Sequence, residues 1–388
     1  MKLPDGWKEV KLGNILLRVD YGSAAKSNFS GKCPVLRMGN LKDGKLDWSD
    51  LVYTSSVDEI KKYQLEAGDI LFNRTNSRDL VGKTAIYTNE HPAIFAGYLI
   101  RLRVKKECDA FFLNYYMNSE KFISFCKAVR TDAIGQSNIN AQSLQCFKFL
   151  LPPLSEQKRI ADTLSVWDSM IGKTEKLIEN DIKKYKCLIY KLIQQPSDRN
   201  VWQKTKLEQI LKEGSKTPVT DTSQYRKITV KLHKKGIEFA DLTREMADTR
   251  PFYIRRSGEL IIGKQNYFNG SVALVGDEFD GCICSNAIMS FGISDKVNSR
   301  FLYEAVSHDK YLKRREALAN GTGQKELTEK DFLNFEVALP SFTEQTTIAD
   351  TLDVAQHAID LLRQLAEQYK FQKQGLMQKL LTGQWRIR

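Results

Sequence analysis

The chain has 388 residues, of which 42% are hydrophobic and 27% charged, and its formal net charge is +12. This balance is typical of a soluble globular protein with more than one core. The basic excess favours a polyanionic partner such as nucleic acid, although a basic surface without such a partner is also common. No stretch approaches the roughly 20 apolar residues of a membrane span, and the N-terminus lacks a secretory signal, so we expect a cytoplasmic protein.

Cysteine and histidine give no sign of a metal or catalytic centre. The chain has seven cysteines and four histidines, and Cys282 and Cys284 have no second cysteine pair or histidine cluster to complete a zinc site. Gly82-Lys83-Thr84 resembles the end of a phosphate-binding loop, but Ser77 stands where that loop needs glycine. We expect reduced, mostly buried thiols, no metal and no catalytic residue.

Residues 1–150 are predicted to form a first domain of strands and helices. Apolar runs indicate its strands, at residues 70–72, 84–87 and 98–104. Helical periodicity covers residues 111–129. The aromatic residues of that helix are expected in the core rather than stacked on unpaired bases, and they are Phe111, Tyr115 and Phe122.

Residues 151–195 are predicted to form one long helix that packs against another helix. Its apolar residues recur in alternating steps of three and four, at positions 160, 164, 167, 171, 178, 182, 185, 189 and 192. Pro152 bars helix before the segment, and Pro196 is expected to end it. Such a seam is too long to be buried inside one small domain.

Residues 196–338 are predicted to form a second mixed domain. Its strands are expected at residues 260–262, 271–275 and 287–293. A helix is expected over residues 301–318, with Phe301 and Tyr311 in the core. The same order of elements is predicted in residues 1–150.

Residues 339–388 repeat the central helix, so the chain is a tandem duplication. The run 151–164 returns at 339–352 with nine of fourteen positions identical and no gap. Two unrelated amphipathic helices would share apolar spacing, but not a Leu-Pro entry, a Glu-Gln pair and an Ile-Ala-Asp-Thr-Leu core together. The seam is repeated at Ile348, Leu352, Ala355, Ile359, Leu362, Ala366, Tyr369, Leu376 and Leu380. Gly383 is expected to cap this helix.

The two repeated helices are predicted to pair with each other. The first helix runs from the first domain to the second, and the other begins where the second domain ends, so an antiparallel pair is expected. The predicted fold class is α+β, with two mixed α/β domains at opposite ends of a long antiparallel two-helix coiled coil, related by a pseudo-two-fold internal repeat. Independent core helices are the alternative.

Polar loops between the strands carry side chains that can read base edges, since arginine can bond guanine and asparagine or glutamine can bond adenine. The candidates in the first domain are Asn73, Arg74, Asn76, Arg78, Gln136, Ser137 and Asn138. Those in the second domain are Lys264, Gln265, Asn266, Tyr267, Gln324 and Lys325. The residues expected to contact backbone phosphates are Lys83, Arg130, Lys231 and Arg314. A plain solvated loop is the alternative for each of these residues.

Taken together, these features resemble the specificity subunit of type I restriction-modification enzymes over essentially the whole chain. The motifs that carry the resemblance lie at residues 7–12, 68–72, 135–139, 151–164 and 377–383. The second domain departs from the family pattern at Gly263-Lys264 and at Lys325-Glu326-Leu327.

The resemblance implies a non-catalytic reader of double-stranded DNA, with two target-recognition domains that each bind one half of a split asymmetric site. It implies as partners two methyltransferase (modification) subunits that carry S-adenosylmethionine, and restriction subunits that translocate DNA. No cofactor is expected in this chain. The residues expected to form the coil or to dock partners are Glu156, Gln157, Ile160, Leu164, Glu344, Gln345, Ile348 and Leu352.

Two other functions are compatible with the sequence. One is a bivalent DNA-binding regulator without enzymatic partners, which co-purification with a methyltransferase would exclude. The other is a structural protein that dimerises through its coil, which a salt-sensitive affinity for DNA would exclude.

Overall fold

The computed structural model describes residues 4–133, 135–240, 250–318 and 326–387, which belong to two compact units. Unit 1 comprises Met1–Glu175 and Gln364–Arg388, and unit 2 comprises Lys176–Arg363. Each unit therefore combines one predicted domain with parts of both long helices. Among the described residues, no helix is both long and apolar enough to cross a membrane.

Unit 1 contains short strands and four short α-helices before the first long helix begins. The strands are β1 (Lys8–Lys11), β2 (Leu16–Tyr21), β3 (Cys33–Leu36), β4 (Leu41–Lys42), β5 (Lys45–Leu46), β6 (Val52–Thr54), β7 (Ile70–Asn73), β8 (Thr75–Asn76), β9 (Thr84–Ile86), β10 (Ile94–Phe95), β11 (Leu99–Val104), β12 (Thr131–Ala133), β13 (Gln136–Asn138) and β14 (Lys148–Leu151). The α-helices are α1 (Val57–Tyr63), α2 (Ala110–Met117), α3 (Glu120–Val129) and α4 (Ala141–Gln145), and 3₁₀ turns lie at Leu12–Ile15 and Met38–Asn40.

The first long helix, α5 (Leu154–Ile189), continues through a π-helical turn, Tyr190–Gln194, into α6 (Gln195–Asp198). The prediction that Pro196 ends this helix is wrong. Pro196 lies in the first turn of α6, where a proline needs no amide partner, and the wider π turn precedes it.

Unit 2 repeats the arrangement of unit 1, and its described residues form ten strands. They are β15 (Gln203–Lys206), β16 (Leu211–Glu213), β17 (Ile228–Val230), β18 (Ile237–Phe239), β19 (Phe252–Ile254), β20 (Leu260–Gly263), β21 (Val272–Leu274), β22 (Ile283–Ser285), β23 (Ile288–Ile293) and β24 (Glu336–Leu339). The helices are α7 (Ser299–Ser307), α8 (Asp309–Leu318), α9 (Glu329–Leu333) and the second long helix, α10 (Phe342–Leu381). The 3₁₀ turns are Leu207–Gln209, Thr222–Gln224, Tyr267–Asn269 and Asp277–Phe279.

Both units are built on the same antiparallel four-stranded sheet. Its strand order is β2-β11-β7-β9 in unit 1 and β16-β23-β20-β21 in unit 2. A two-stranded sheet also recurs, as β1 with β14 and as β15 with β24. The strands predicted from apolar runs are confirmed within one or two residues at their ends. The duplicated sequence therefore specifies one topology twice.

Each helix predicted over an aromatic periodic stretch is in fact two helices. In unit 1 the break lies between α2 and α3, where the Ser119 side chain accepts from the Phe122 amide at 3.5 Å. In unit 2 it lies at His308, whose Nδ1 accepts from the Tyr311 amide at 3.1 Å. Polar side chains that bond the backbone in this way start a new helix instead of continuing the old one. The predicted core aromatics are buried except for Phe111, which is exposed.

The long helices pair in antiparallel within each unit. In unit 1, Asp168 pairs with Lys373 at 2.7 Å and Glu175 with Lys370 at 3.1 Å, so one residue number rises as the other falls. In unit 2, residues near the end of α5 and the start of α10 share one core cluster; they are Ile189, Ile348 and Leu352. Every predicted seam residue is buried or half-buried, which confirms the coil pattern. Gly383, with φ +73°, follows α10 as a cap.

All seven cysteines are free, and five of them are buried. Burial raises the pKa of the Cys108 and Cys126 thiols to about 12, which keeps them protonated and unreactive at neutral pH. This agrees with the prediction of mostly buried, structural thiols.

Candidate nucleic-acid interface

The structure brings the two polar loops predicted in unit 1 into one small sheet. Strands β12 and β13 form a hairpin, and β13 pairs with β8 through Ser137 opposite Asn76 and Asn138 opposite Thr75. The Ile139 amide also donates to the Arg74 carbonyl at 2.8 Å. Gln136, the first residue of β13, is exposed. The segments 73–78 and 136–138 therefore lie side by side in the fold.

Asp132 pairs with two arginines of this region. Its carboxylate accepts from Arg78 Nε and Nη2 at 2.9 and 2.7 Å, and it lies 3.2 Å from Arg130 Nε. A hydrogen bond from Ser137 and the Arg78 contact lower the pKa of Asp132, so the carboxylate is ionised at neutral pH. Arg78 stays largely exposed and can exchange this weak surface pair for a DNA contact.

Arg74 packs its guanidinium on an aromatic ring. The group lies 4.8 Å from the centre of the Tyr21 ring, and its buried Nε has no hydrogen-bond partner among the described residues. The guanidinium is thus held beside an aromatic ring, and an arginine so placed can bond a base edge bidentately.

Three candidate base readers are buried inside the fold, so their assignment is corrected. Asn73 is fully buried and donates to the Leu80 carbonyl at 3.0 Å. Ser137 is buried and donates to Asp132 at 2.5 Å. Tyr267 is fully buried and donates to the Val306 carbonyl at 2.6 Å. These side chains shape the loops, whereas their exposed neighbours are placed to meet a ligand.

In unit 2 the corresponding loop is held in the same way. The Leu327 amide donates to the Lys264 carbonyl at 3.0 Å, as Ile139 does to Arg74. Lys264 pairs with Glu329 at 3.1 Å, Gln265 is exposed, and half-buried Asn266 accepts from Asn269 at 3.3 Å. Gln324 and Lys325 lie outside the described residues.

The four candidates for phosphate contacts differ in whether their positive charge is already paired with a carboxylate. Arg314 pairs with Asp198 at 2.8 Å, Lys231 pairs with Glu238, and Arg130 is held by Asp132. Lys83 is exposed, and within the described ranges it forms no ion pair. Lys83 is therefore the candidate whose full charge faces solvent.

The residues predicted to dock partners turn out to be mainly internal, which corrects that part of the prediction. Gln157 accepts from the Asp109 amide at 2.7 Å, and Gln345 accepts from the Asn298 amide at 2.9 Å. Glu156 is bonded by Trp7 and Arg386. The apolar members are buried seam residues, as the coil prediction expects, and they are Ile160, Leu164, Ile348 and Leu352. Glu344 alone among the eight is exposed.

Sequence reasoning missed several polar residues that line these surfaces, namely Tyr21, Asp132, Lys216 and Glu329. One signal was available for Glu329. It occupies the first position of α9, where the matching position of α4 holds Ala141. The two copies therefore differ in charge at this position.

Comparison with known families agrees with the duplication. The family model described as type I restriction modification DNA specificity domain matches the chain twice, at residues 4–184 and 200–370. The two matches cover most of the chain and correspond to its two halves.

Individual relatives and solved structures are similar along the full length. A Methanocaldococcus jannaschii protein provisionally named the MjaX type I restriction enzyme specificity subunit is 28% identical, over 100% of this chain and 95% of that protein. The MjaVIII specificity subunit of the same organism is 23% identical over the same shares. The crystal structure of a type I restriction-modification S subunit from M. genitalium superposes with a TM-score of 0.61 at 16% identity, covering 98% of both chains. At that identity the likeness shows the fold.

Proposed function

Because this chain belongs to the family of type I restriction-modification DNA specificity domains, we propose that it recognises a split, asymmetric DNA site, with each unit reading one half. The chain is the DNA-recognition subunit of such a system and is not its catalytic subunit. A bivalent regulator without enzymatic partners is not favoured, because the relatives are named specificity subunits.

The observation that supports this proposal most strongly is a shared scaffold with different polar residues. In both units a backbone amide bonds the carbonyl of the cation that follows a central strand, Arg74 in unit 1 and Lys264 in unit 2. The neighbouring side chains differ, with Tyr21 beside Arg74 and Glu329 beside Lys264. Two readers of one fold with unlike side chains suit two unlike half-sites.

We further propose that two methyltransferase subunits, which bring S-adenosylmethionine, and translocating restriction subunits assemble on this chain. Exposed apolar residues of the long helices support two equivalent docking faces. Unit 1 exposes Val166 (57%) and Leu365 (36%), and unit 2 exposes Val354 (73%) and Leu177 (52%). Val166 corresponds to Val354 in the repeat, and Leu177 to Leu365. Exposed apolar residues retained in both copies fit a partner that binds twice.

The proposal is tested by co-expressing the chain with its cognate methyltransferase subunit and mapping methylated bases across the genome. We expect two short motifs separated by a fixed gap. Arg74→Ala should relax sequence choice in one motif only, by roughly 1–3 kcal/mol of discrimination at one base pair. Lys83→Ala should weaken binding alike on target and random DNA, because a phosphate contact carries no sequence information. Equal losses from Arg74→Ala on both kinds of DNA would contradict direct readout.

A further inference from the structure

Unit 2 contains a polar cavity next to Lys264 that sequence reasoning did not identify. Its volume is about 270 Å³. It lies among the segment after β16, the end of β20, the start of β23 and the first residue of α9. The side chains that give it its chemistry are Lys216, Tyr253, Arg255, Lys264, Asn286 and Glu329. This mixture of donors, acceptors and one aromatic ring is suited to a polar, planar ligand.

A buried guanidinium forms one wall of the cavity. Arg255 is 3% exposed. It donates to the Ser215 and Ile288 carbonyls at 3.2 Å each and to Cys284 Sγ at 3.0 Å. Across the part of unit 2 that the structure describes, it forms no ion pair. These bonds hold the backbone on both sides of the cavity in place, so the cavity is built rather than a gap between mobile side chains.

The rim of the cavity carries both signs of charge. Lys264 and Glu329 form a half-buried pair at 3.1 Å, and exposed Lys216 pairs with Glu213 at 2.5 Å. Burial alone would raise the pKa of Glu329. A backbone hydrogen bond and the contact with Lys264 together lower it by more than burial raises it, so the pKa of Glu329 lies below the usual value. Glu329 is therefore an ionised acceptor beside two ammonium donors.

The same corner of unit 1 has different chemistry on the same backbone. Arg74 and Lys264 both accept an amide bond at their carbonyls, from Ile139 and Leu327 respectively. Helix α4 begins two residues after Ile139, and α9 begins two residues after Leu327. The first residue of α4 is Ala141, whereas that of α9 is Glu329. At the residue whose carbonyl is bonded, unit 1 thus has an arginine beside a tyrosine ring, whereas unit 2 has a lysine paired with a carboxylate.

We propose that this corner of unit 2 reads a G·C base pair, with Lys264 and Lys216 donating to O6 and N7 of guanine and the Glu329 carboxylate accepting from N4 of the paired cytosine. The major-groove edge of a G·C pair offers two acceptors beside one donor. That pattern is complementary to two ammonium groups beside one carboxylate. In the free protein Lys264 and Glu329 pair with each other, and on binding each group would exchange that partner for its own part of the base-pair edge. This inference rests on the proposed function and names the specificity of one of its two sites.

The test uses the assembled complex of this chain with its cognate methyltransferase subunits. Sequence preference is measured by methylation mapping and by selection from random DNA, for the wild type and for Glu329→Gln and Lys264→Ala. The half-site of unit 2 is the one that Arg74→Ala leaves unchanged. Glu278→Gln is the matched control, because it makes the same change at an exposed position of unit 2 outside the cavity.

We expect Glu329→Gln to lower discrimination at one G·C pair of that half-site roughly tenfold or more, and to leave the other half-site as it was. Lys264→Ala should relax the same position, and Glu278→Gln should relax none. An unchanged motif in folded Glu329→Gln and Lys264→Ala complexes would overturn the proposal, as would a unit 2 half-site without a G·C pair. A wild-type complex that shows no split motif would instead refute the proposed function itself.

Discussion

At the residue scale, Glu156 shows how one buried carboxylate can join distant parts of unit 1. It accepts from Trp7 Nε1 at 3.1 Å and from Arg386 at 2.6 and 2.8 Å. The two copies of the repeat differ at this position. Asp198 occupies the position that corresponds to Arg386, and it pairs with Lys310 and Arg314. In unit 2 the chain itself connects the end of the long helix to the following domain. In unit 1 the Glu156 contacts fulfil that role without a covalent link.

Replacing Arg386 with alanine should therefore destabilise unit 1, since it leaves a buried carboxylate without its cation. We expect the thermal midpoint to fall on the order of 5 °C. The control is Arg363→Ala, which removes an exposed i,i+3 pair with Asp360 and should change the midpoint little. Equal shifts in the two variants, measured by scanning calorimetry, would argue against the clamp.

His308 gives unit 2 a predictable dependence on pH. Burial, with Lys234 nearby, lowers its pKa from 6.5 to about 4. Between those values the unfolded chain binds a proton that the folded unit does not. The contribution of neutral His308 to stability should therefore be present above pH 6.5 and be lost as the pH drops toward 4. The free energy of unfolding should fall by about 2 kcal/mol from pH 7.5 to pH 5.

His308→Asn should remove this part of the pH dependence while keeping the cap of α8, since asparagine is also a good N-cap. The measurement is urea unfolding at pH 7.5 and pH 5. Substituting the exposed His357 with asparagine serves as the control and should leave the wild-type slope in place. A His308→Asn protein that loses as much stability as the wild type on acidification would contradict the assignment.

At the element scale, a glutamine near the start of each long helix bonds that helix to its domain. Gln157 bonds the amide of Asp109, which caps α2, and Gln345 bonds the amide of Asn298, which caps α7. Each glutamine also donates to the carbonyl of the proline that precedes its helix. These bonds explain why glutamine occurs in both copies of the Glu-Gln pair, since Gln157 and Gln345 make the same buried hydrogen bonds.

Replacing either glutamine with alanine should cost its unit roughly 1–3 kcal/mol, because buried backbone groups lose their partners. Gln157→Ala should affect unit 1, and Gln345→Ala should affect unit 2. Hydrogen exchange of α2 and α7 would report which unit opens. Gln372→Ala, at an exposed position of α10, is the control. If either single variant made hydrogen exchange faster in both α2 and α7 to a similar extent, the glutamine bonds would not act locally.

At the scale of the whole molecule, duplication produces two copies of each surface from one chain. The four-stranded sheet, the glutamine bond and the exposed apolar positions of the long helices all occur twice. Side chains on these shared elements differ around Arg74 and Lys264 but match at the exposed apolar positions of the long helices. This combination fits the proposal that the two units read different half-sites and bind the same kind of partner.

The stoichiometry of the partner should follow from this repeat. On the proposal that two methyltransferase subunits bind, Val166→Asp or Val354→Asp should each reduce the number bound from two to one, and the double variant should bind none, because a charge on an apolar docking face is costly to desolvate. Native mass spectrometry would count the subunits. Val201→Asp, at another exposed valine, should keep both. Two subunits retained on the double variant would place the docking face elsewhere.

The sequence alone determined the duplication, the main strands, the helical seam and the family. These features follow from the order of residues along the chain. Sequence identity at a fixed offset and apolar periodicity can both be recognised without knowing which residues are in contact. Only the tertiary structure decided which polar side chains face solvent. Asn73 and Tyr267 look like base readers in the chain yet are buried, and Arg386 binds Glu156 across 230 positions. Burial and long-range pairing depend on neighbours that the fold supplies, so no local pattern specifies them.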